Sequence, residues 1–274
     1  MKENIFIALS HDGIQEAHDK HRLDTALNGT FTTLSSKIDM LLSKRPYAPV
    51  LMVVNPDTAE YFADSVMYLY RKGFRYIISS LNYSGQWTEK ELEIMKKQYK
   101  RLSEFYIERT LAEDKFYLSP FEVKISSHIN KATYCQERCE LGKKQISVAP
   151  DGNLFPCVQF VGDNSFSIGN VNTGIDLFRQ NTIYNINEEE KESCIECAIR
   201  KRCNHYCGCM NKQTTGSIEK VSPIQCYHER LLLPIADKLA EKLFKKKSPI
   251  FIQKHYNEMF PILSIIEDNS RMRK

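Results

Sequence analysis

Nine cysteines are the residues of this chain whose type and spacing could do chemistry. All of them lie between Cys135 and Cys226, and five fall in the segment CIECAIRKRCNHYCGC, from Cys194 to Cys209. Thiols crowded in this way form disulfides or bind a metal as thiolates. Because nine is an odd number, no scheme of disulfides alone uses every cysteine. We therefore expect most of these cysteines to be metal ligands.

The spacing of the cysteines favours iron–sulfur clusters over a simple zinc ribbon. Cys194 and Cys197 form a C-x2-C pair, which can clamp one metal with two sulfurs. A zinc ribbon repeats that pair some 15–20 residues later, whereas here Cys203 and Cys207 follow in C-x3-C spacing. Each cubane cluster takes four thiolates, so eight cysteines suffice for two clusters and one is left over. A zinc-stabilised module remains the alternative.

Composition and charge narrow the class of protein. The chain has 274 residues, 42% of them hydrophobic and 26% charged, so a packed core does not need cysteines as staples. A net charge of only +4 argues against a dedicated nucleic-acid binder. The apolar run from Ile5 to Leu9 is too short for a signal-peptide core or a membrane span. We expect a cytoplasmic protein with reduced thiols and with neither nucleic acid nor membrane as a partner.

Residues 1–118 read as alternating strands and helices. Three apolar runs, NIFIALS, APVLMVVNP and RYIISSLN, are suited to buried strands. Segments with helical spacing follow each run, and Thr88 and Glu91 form a capping box at the start of the last helix. The order β-α-β-α-β-α predicts an α/β region with a parallel sheet.

The rest of the chain changes character twice. Residues 119–228 have short segments, frequent turn residues and all nine cysteines. Within them, KKQISVAPDGNLFPC predicts a hairpin that turns at Asp151 and Gly152. Residues 229–274 return to a helical pattern, and Pro234 is predicted in a first helical turn.

The cysteine pattern resembles the SPASM domain of radical S-adenosylmethionine (SAM) enzymes. The segment GNLFPC, the run from Cys194 to Cys207, the distant Cys226 and the segment FSIGNV all match that domain. Upstream, IALSHDGIQEAHDKHR and NGTF are similar to the family's SLDGP-x-x-H-x-x-x-R and GTF segments. Such enzymes modify peptides and proteins, for instance as anaerobic sulfatase maturases or maturases of ribosomally made peptides (RiPPs). The resemblance covers residues 5 to about 230.

The resemblance implies a fold and a missing part. It implies the second half of a radical SAM partial (β/α)6 barrel over 1–118, equivalent to strands 4–6. A SPASM iron–sulfur domain over 119–228 and a helical extension over 229–274 follow. The family's C-x3-C-x2-C motif, which holds the SAM-cleaving cluster, has no counterpart here. We therefore expect that the chain does not cleave SAM alone, and that its first strand is an uncovered edge open to a chain with the missing strands.

Carried over by position, the family's motif implies two [4Fe–4S] clusters. Cys209 has no role in that scheme and is expected to be unliganded. His205 and His228 are expected to be hydrogen-bonded structural residues rather than ligands. The first auxiliary cluster would be held by Cys135, Cys139, Cys157 and Cys207, and the second by Cys194, Cys197, Cys203 and Cys226.

The resemblance also points to a cleft at the carboxyl ends of the strands. Ser10, Asp12 and Arg22 match the family's S-x-D-G and R positions, which implies a role toward SAM or substrate. An ordinary turn at Asp12 is the alternative. Asn55 and the loop from Asn82 to Trp87 follow the other two strands and would line the same cleft.

These observations predict the auxiliary-cluster part of a radical SAM/SPASM enzyme that modifies a peptide or protein. Its partners would be a precursor peptide or protein, a chain carrying the N-terminal radical SAM half, and a reductant such as ferredoxin or flavodoxin. SAM would be a cofactor only if that half is supplied. The alternatives are a catalytically inactive iron–sulfur subunit that transfers electrons or binds peptide, and the zinc-stabilised module.

Overall fold

The computed structural model describes residues 6–130 and 140–272, and Cys135 and Cys139 lie outside these ranges. The chain divides into two units. The first unit runs up to Ile129 and resumes at Leu231, and the second unit is Asn130–Arg230. No helix of the described ranges is long and apolar enough to cross a membrane.

The first unit contains a parallel sheet, as the alternating pattern predicts. Its strands are β1 (Leu9–Ser10), β2 (Val50–Val54), β3 (Tyr76–Leu81) and β4 (Tyr117–Leu118), paired in that order. Strand β4 was not anticipated. Strand β1 is shorter than its apolar run and its two residues are not buried, and Phe6 of the same run is 82% exposed.

Most helices begin where local signals place them. Helix α4 starts at the predicted capping box, in which Thr88 and Glu91 each bond the other's backbone N–H. A 3₁₀ segment, Pro56–Tyr61, precedes α3 because its proline fits a first turn. The helices are α1 (Gln15–His21), α2 (Phe31–Lys44), α3 (Phe62–Arg71), α4 (Glu89–Leu111), α5 (Ser119–Ile129), α6 (Leu177–Glu188), α7 (Gly208–Thr215), α8 (Pro223–Lys245), α9 (Pro249–Tyr256) and α10 (Phe260–Met272).

The predicted position of Pro234 in a first helical turn is wrong. Pro223 opens α8, and Pro234 lies inside the helix. The helix continues through Pro234 because Leu232, Leu233 and Ala236 are buried around it. Burial on that face outweighs the hydrogen bond that a proline cannot donate.

The core of the first unit lies on one side of the sheet. Along β2, Val50, Met52 and Val54 are buried, while the alternate residues Leu51 and Val53 are more than a third exposed. This period of two follows from the pleat of a strand. Fully buried aromatic side chains complete the core, among them Phe62, Tyr99, Tyr106 and Phe121.

The second unit contains a small antiparallel sheet. The predicted hairpin is present as β5 (Ser147–Val148) and β6 (Asn153–Phe155), with Gly152 at φ +84° in its turn. Strands β7 (Gly169–Asn170) and β8 (Gly174–Ile175) extend the sheet. The apolar cluster beneath it consists of Leu141, Ala149, Leu154, Phe155, Cys157, Phe160, Ile168, Ile183 and Ile218.

Candidate metal centres

The described cysteines all lie in the second unit, on short turns and helix starts. Cys157 caps the 3₁₀ turn Val158–Phe160 at the end of the hairpin, and Cys207 caps α7. A residue at the start of a short turn or helix has a fixed backbone, so its side chain is held in one position. The structure gathers the seven cysteines into two groups of three and four.

The first group, here called the thiol trio, consists of Cys157, Cys207 and Cys209. The Sγ atoms of Cys207 and Cys209 are 3.2 Å apart, and the Cys209 thiol also hydrogen-bonds with Cys157. Cys157 is only 5% exposed and belongs to the apolar cluster of the unit. Cys209, which the sequence scheme leaves without a role, therefore lies between two cysteines assigned to the first cluster.

The pKa values of the three thiols are shifted in opposite directions. The hydrogen bond from Cys209 lowers the pKa of Cys157 to about 6, against the effect of burial, and nearby backbone N–H groups add to the lowering. The same donor lowers the pKa of Cys207. The pKa of Cys209 is raised, because Cys209 donates to both neighbours and is itself buried.

The second group surrounds a cavity, here called the four-thiol cavity, of about 210 Å³. A water molecule takes up about 30 Å³, so there is room for a group of several atoms. Burial raises the pKa of the Cys194 thiol that lines it. The four cysteines at its wall are Cys194, Cys197, Cys203 and Cys226, the set that the family's motif assigns to the second cluster.

Arg230 is a site residue that the sequence reasoning missed. Its Nε donates to Cys226 Sγ at 3.5 Å, and its Nη2 donates to Cys197 Sγ at 3.4 Å. These thiols raise the pKa of Arg230. The signal that could have found it is the i,i+4 spacing of Cys226 and Arg230 on a helix.

The four thiols of the cavity match the number of thiolates that a four-iron cluster takes. Within the described residues, no three Cys, His, Asp or Glu side chains are placed to hold one metal ion. In a four-iron cluster, each thiolate binds its own iron at a separate corner, so four thiols spread around a cavity match that geometry. His205 also lines the cavity, and its Nδ1 lies 3.2 Å from the Cys203 carbonyl oxygen, which fits the predicted structural role.

The predicted SAM-cleft residues lie in the first unit, and two of them bind each other. Arg22 Nε and Nη2 donate to the two oxygens of Asp12 at 2.7 and 2.9 Å. The backbone N–H of Val53 also donates to Asp12, at 2.9 Å. This pair ties the segment after β1 to β2, so both carboxylate oxygens are in use. Ser10 is exposed at the end of β1, and a role of these three residues toward SAM stays a prediction.

The segments after β2 and β3 meet at one edge of the sheet, as expected for parallel strands. Asn82 Nδ2 donates to Asn55 Oδ1 at 2.8 Å, and Trp87 Nε1 donates to the Asn82 carbonyl oxygen at 2.8 Å. Near the end of β1, His11 is fully buried, and burial lowers its pKa to about 4. His11 is therefore neutral at pH 7.

The chain is similar to known proteins in sequence and in structure. No protein-family model matches the chain. It is 23% identical, over 222 residues, to a cysteine-type anaerobic sulfatase-maturating enzyme of Clostridium novyi (strain NT). The aligned part covers 75% of this chain and 56% of that enzyme. The chain thus spans little more than half of the length of this curated relative.

Solved structures of an anaerobic sulfatase-maturating enzyme share the fold. "Native anSMEcpe with bound AdoMet" has a TM-score of 0.69 at 17% identity, covering 86% of this chain and 67% of that one. "Native anSMEcpe with bound AdoMet and Kp18Cys peptide" has a TM-score of 0.65 at 18% identity, covering 86% and 69%. The α/β fold is therefore similar to that of these enzymes, and the resemblance to radical SAM maturases predicted from the motifs is confirmed.

Proposed function

We propose that this chain is the auxiliary-cluster part of a radical SAM/SPASM enzyme that modifies a ribosomally made peptide or a protein. The four-thiol cavity carries the proposal, because four cysteines line one space large enough for a cluster. The similarity of the chain to sulfatase-maturating enzymes also supports the proposal, and it does not depend on the cavity. A solved neighbour holds a peptide, which supports a peptide or protein as the substrate class here.

In this proposal the two units have different tasks. The first unit is the second half of a partial barrel, and its parallel sheet supports that assignment. The second unit is the SPASM domain, with one cluster at Cys157 and Cys207 and another in the four-thiol cavity. SAM cleavage would need the barrel half that carries the C-x3-C-x2-C motif. A chain supplying that half and a reductant such as ferredoxin or flavodoxin are the proposed partners.

When bound, the clusters would supply one-electron transfer near the substrate. The residues of the chain would bind the clusters and set their reduction potentials. Burial of Cys157 and Cys194 would keep water from the sulfurs, and the guanidinium of Arg230 would donate hydrogen bonds to two ligand sulfurs. Deprotonation of each thiol on binding would release a proton to solvent.

Anaerobic purification followed by iron and sulfide analysis tests the proposal. We expect about eight Fe and about eight labile sulfides per chain in a brown protein. A colourless protein with zinc and no sulfide would instead support a zinc-stabilised structural module. With SAM and a reductant, the chain alone should form no appreciable 5′-deoxyadenosine, and appreciable product would refute the division of labour proposed here.

An inactive iron–sulfur subunit is the second candidate, and one observation favours it. Asp12 and Arg22, which match positions of the family's cleft, form two hydrogen bonds with each other. Such a subunit would bind peptide or transfer electrons without SAM. Equilibrium binding of labelled SAM to the mixture of both barrel halves separates the candidates, since binding that needs Ser10 would exclude the inactive subunit.

A further inference from the structure

Two buried amide side chains join the segments that carry Cys203 and Cys226, which both line the four-thiol cavity. Asn211 lies in α7 and is fully buried, and Gln225 lies in α8 and is 1% exposed. Burying an amide is costly unless its polar atoms are hydrogen-bonded. The partners of these two side chains therefore show which parts of the chain they hold together.

The side chain of Asn211 bonds two separate backbone segments. Its Nδ2 donates to the carbonyl oxygen of His205 at 2.9 Å, in the loop that follows Cys203. Its Oδ1 accepts from the backbone N–H of Ser222 at 3.0 Å, and Ser222 immediately precedes α8. One amide group thus fixes the position of that loop relative to the start of α8.

Gln225 makes a second connection between the same two segments. Its Nε2 donates to the carbonyl oxygen of Asn204, and its backbone N–H donates to Ser222 Oγ at 3.2 Å. Asn204 directly follows Cys203, and Gln225 directly precedes Cys226. Each of these two cysteines is therefore the neighbour, along the chain, of a residue in the bond that joins their segments.

We propose that Asn211 and Gln225 are positioning residues, which hold Cys203 and Cys226 at one cavity so that both bind the same cluster. The inference rests on the proposed function, because it takes the second cluster as the bound group. Hydrogen bonds outside the ligand set keep ligands in the geometry that a metal centre needs. A shift of the start of α8 would move one thiolate away from its corner of the cluster.

The other two cysteines of the cavity are held in a different way. Cys194 and Cys197 share one local turn, in which the Cys197 N–H donates to the Cys194 carbonyl oxygen at 3.1 Å. Cys203 and Cys226 come from segments that are far apart along the chain, so they depend on tertiary hydrogen bonds. Loss of the amide bonds should therefore separate Cys226 from the other sulfurs and leave the local pair intact.

Cross-linking of the metal-free protein tests this positioning. Dibromobimane alkylates two nearby thiols with loss of two bromides, and mass spectrometry of tryptic peptides identifies the cysteines that it joins. The sulfurs of Cys197 and Cys226 both lie within 3.5 Å of the Arg230 guanidinium, so wild type should give a link between them. We expect Asn211→Leu to lower the yield of this link about fivefold, the effect of losing one hydrogen bond, and to keep the link from Cys194 to Cys197.

Iron-loaded variants test the consequence for the cluster. Asn211→Leu should lose about four Fe and keep about four in the first centre. Gln225→Met removes one hydrogen bond and keeps an unbranched side chain, so it should change the EPR spectrum and the reduction potential of the second cluster only. Thr214→Val is the control, because the Thr214 hydroxyl bonds the Met210 and Asn211 carbonyl oxygens of its own helix, and it should behave as wild type.

The outcomes separate this inference from the proposed function. Wild type without iron would overturn the proposed function, and the cross-link would then decide whether the amides hold the thiols together. Wild-type cross-linking and iron in Asn211→Leu and Gln225→Met would overturn the inference alone. Equal loss of both clusters in Gln225→Met would indicate a role in stability only and would also overturn it. If Asn211→Leu fails to fold, Gln225→Met decides, since a changed potential of the second cluster alone supports the inference and a wild-type potential overturns it.

Discussion

The buried carboxylate of Asp12 in the first unit has three donors, two from Arg22 and one from the Val53 backbone. The buried sulfur of Cys157 in the second unit has another thiol as its side-chain partner. Asp12 is thus satisfied by charge and backbone partners of its own unit, whereas Cys157 has as its neighbour a group of its own kind. We therefore expect substitutions of Asp12 to change stability, and substitutions of the cysteines to change metal content.

Cluster-ligand variants should break the second unit's function and spare the first unit. Cys157→Ala and Cys226→Ala should each lose about four Fe, because each removes a thiolate from a different cluster. Iron analysis checks the loss. The fluorescence of Trp87, the sole tryptophan, reports the first unit and should stay as in wild type. Loss of all iron, or of none, in both variants would contradict two separate centres.

Breaking the Asp12–Arg22 pair should destabilise the first unit. The Asp12 side chain is 6% exposed and that of Arg22 is 28% exposed, so Asp12→Asn leaves a partly buried cation without its counter-charge. We expect a loss of about 3 kcal/mol in the free energy of unfolding, measured with urea and Trp87 fluorescence.

A matched control for this variant is present on the surface. Asp64 and Arg101 form a pair whose side chains are 47% and 45% exposed. Asp64→Asn should cost less than about 1 kcal/mol, because solvent screens exposed pairs. Equal losses in the two variants would argue against an internal role of Asp12 in stability.

Lowering the pH should reduce the free energy of unfolding of the first unit, because His11 is buried in its neutral form. Its folded pKa is lowered to about 4 by burial and by His18 and Arg22, while Asp12 and Asp19 oppose the lowering. The unfolded chain therefore binds the proton more readily between pH 6.5 and 4, so stability is present above pH 6.5 and is lost as pH falls. We expect this group to cost about 2 kcal/mol at pH 5 relative to pH 7.5.

His11→Asn isolates this contribution from that of other histidines. Its side-chain oxygen can still accept from the Gly13 N–H, which donates to His11 Nδ1 in the native protein, but the side chain does not titrate. Urea unfolding at both pH values should show a smaller loss with acid in the variant than in wild type. The same loss in both would exclude His11 as the cause.

Arg230 should affect the reduction potential of the cluster in the four-thiol cavity and not that of the cluster at Cys157 and Cys207. Arg230→Gln removes a positive charge from two sulfurs at the four-thiol cavity, so the reduced cluster is less stabilised and its potential becomes more negative. Because the guanidinium is exposed, we expect a change on the order of threefold in the reduction equilibrium, about 30 mV for one electron. Redox titration followed by EPR measures it.

Arg179→Gln is the control for this last comparison. Arg179 lies in the same unit, where its guanidinium donates to the carbonyl oxygens of Asn164 and Ser165. The Arg179→Gln variant should leave the reduction potentials of both clusters unchanged. A shift in the first centre with Arg230→Gln, or no shift in the second, would contradict a local role of Arg230.

The sequence predicted helix starts, turns and strand faces well where they depend on residues close together along the chain. The capping box at Thr88, the hairpin turn at Gly152 and the alternation along β2 depend on neighbours within a few residues. Predictions failed where distant packing decides. Pro234 continues a helix because burial on one face of α8 outweighs its lost hydrogen bond, and the run predicted as a buried strand leaves Phe6 exposed.

Residue spacing along the chain was enough to predict the α/β order of the first unit and the resemblance to radical SAM maturases. It also named Cys194, Cys197, Cys203 and Cys226 as one set, which the structure brings around one cavity. The position of Cys209 beside Cys207 and the contact of Arg230 with two sulfurs could be seen only in the folded chain. These depend on how α7 and the hairpin pack, and on side-chain directions that spacing does not contain.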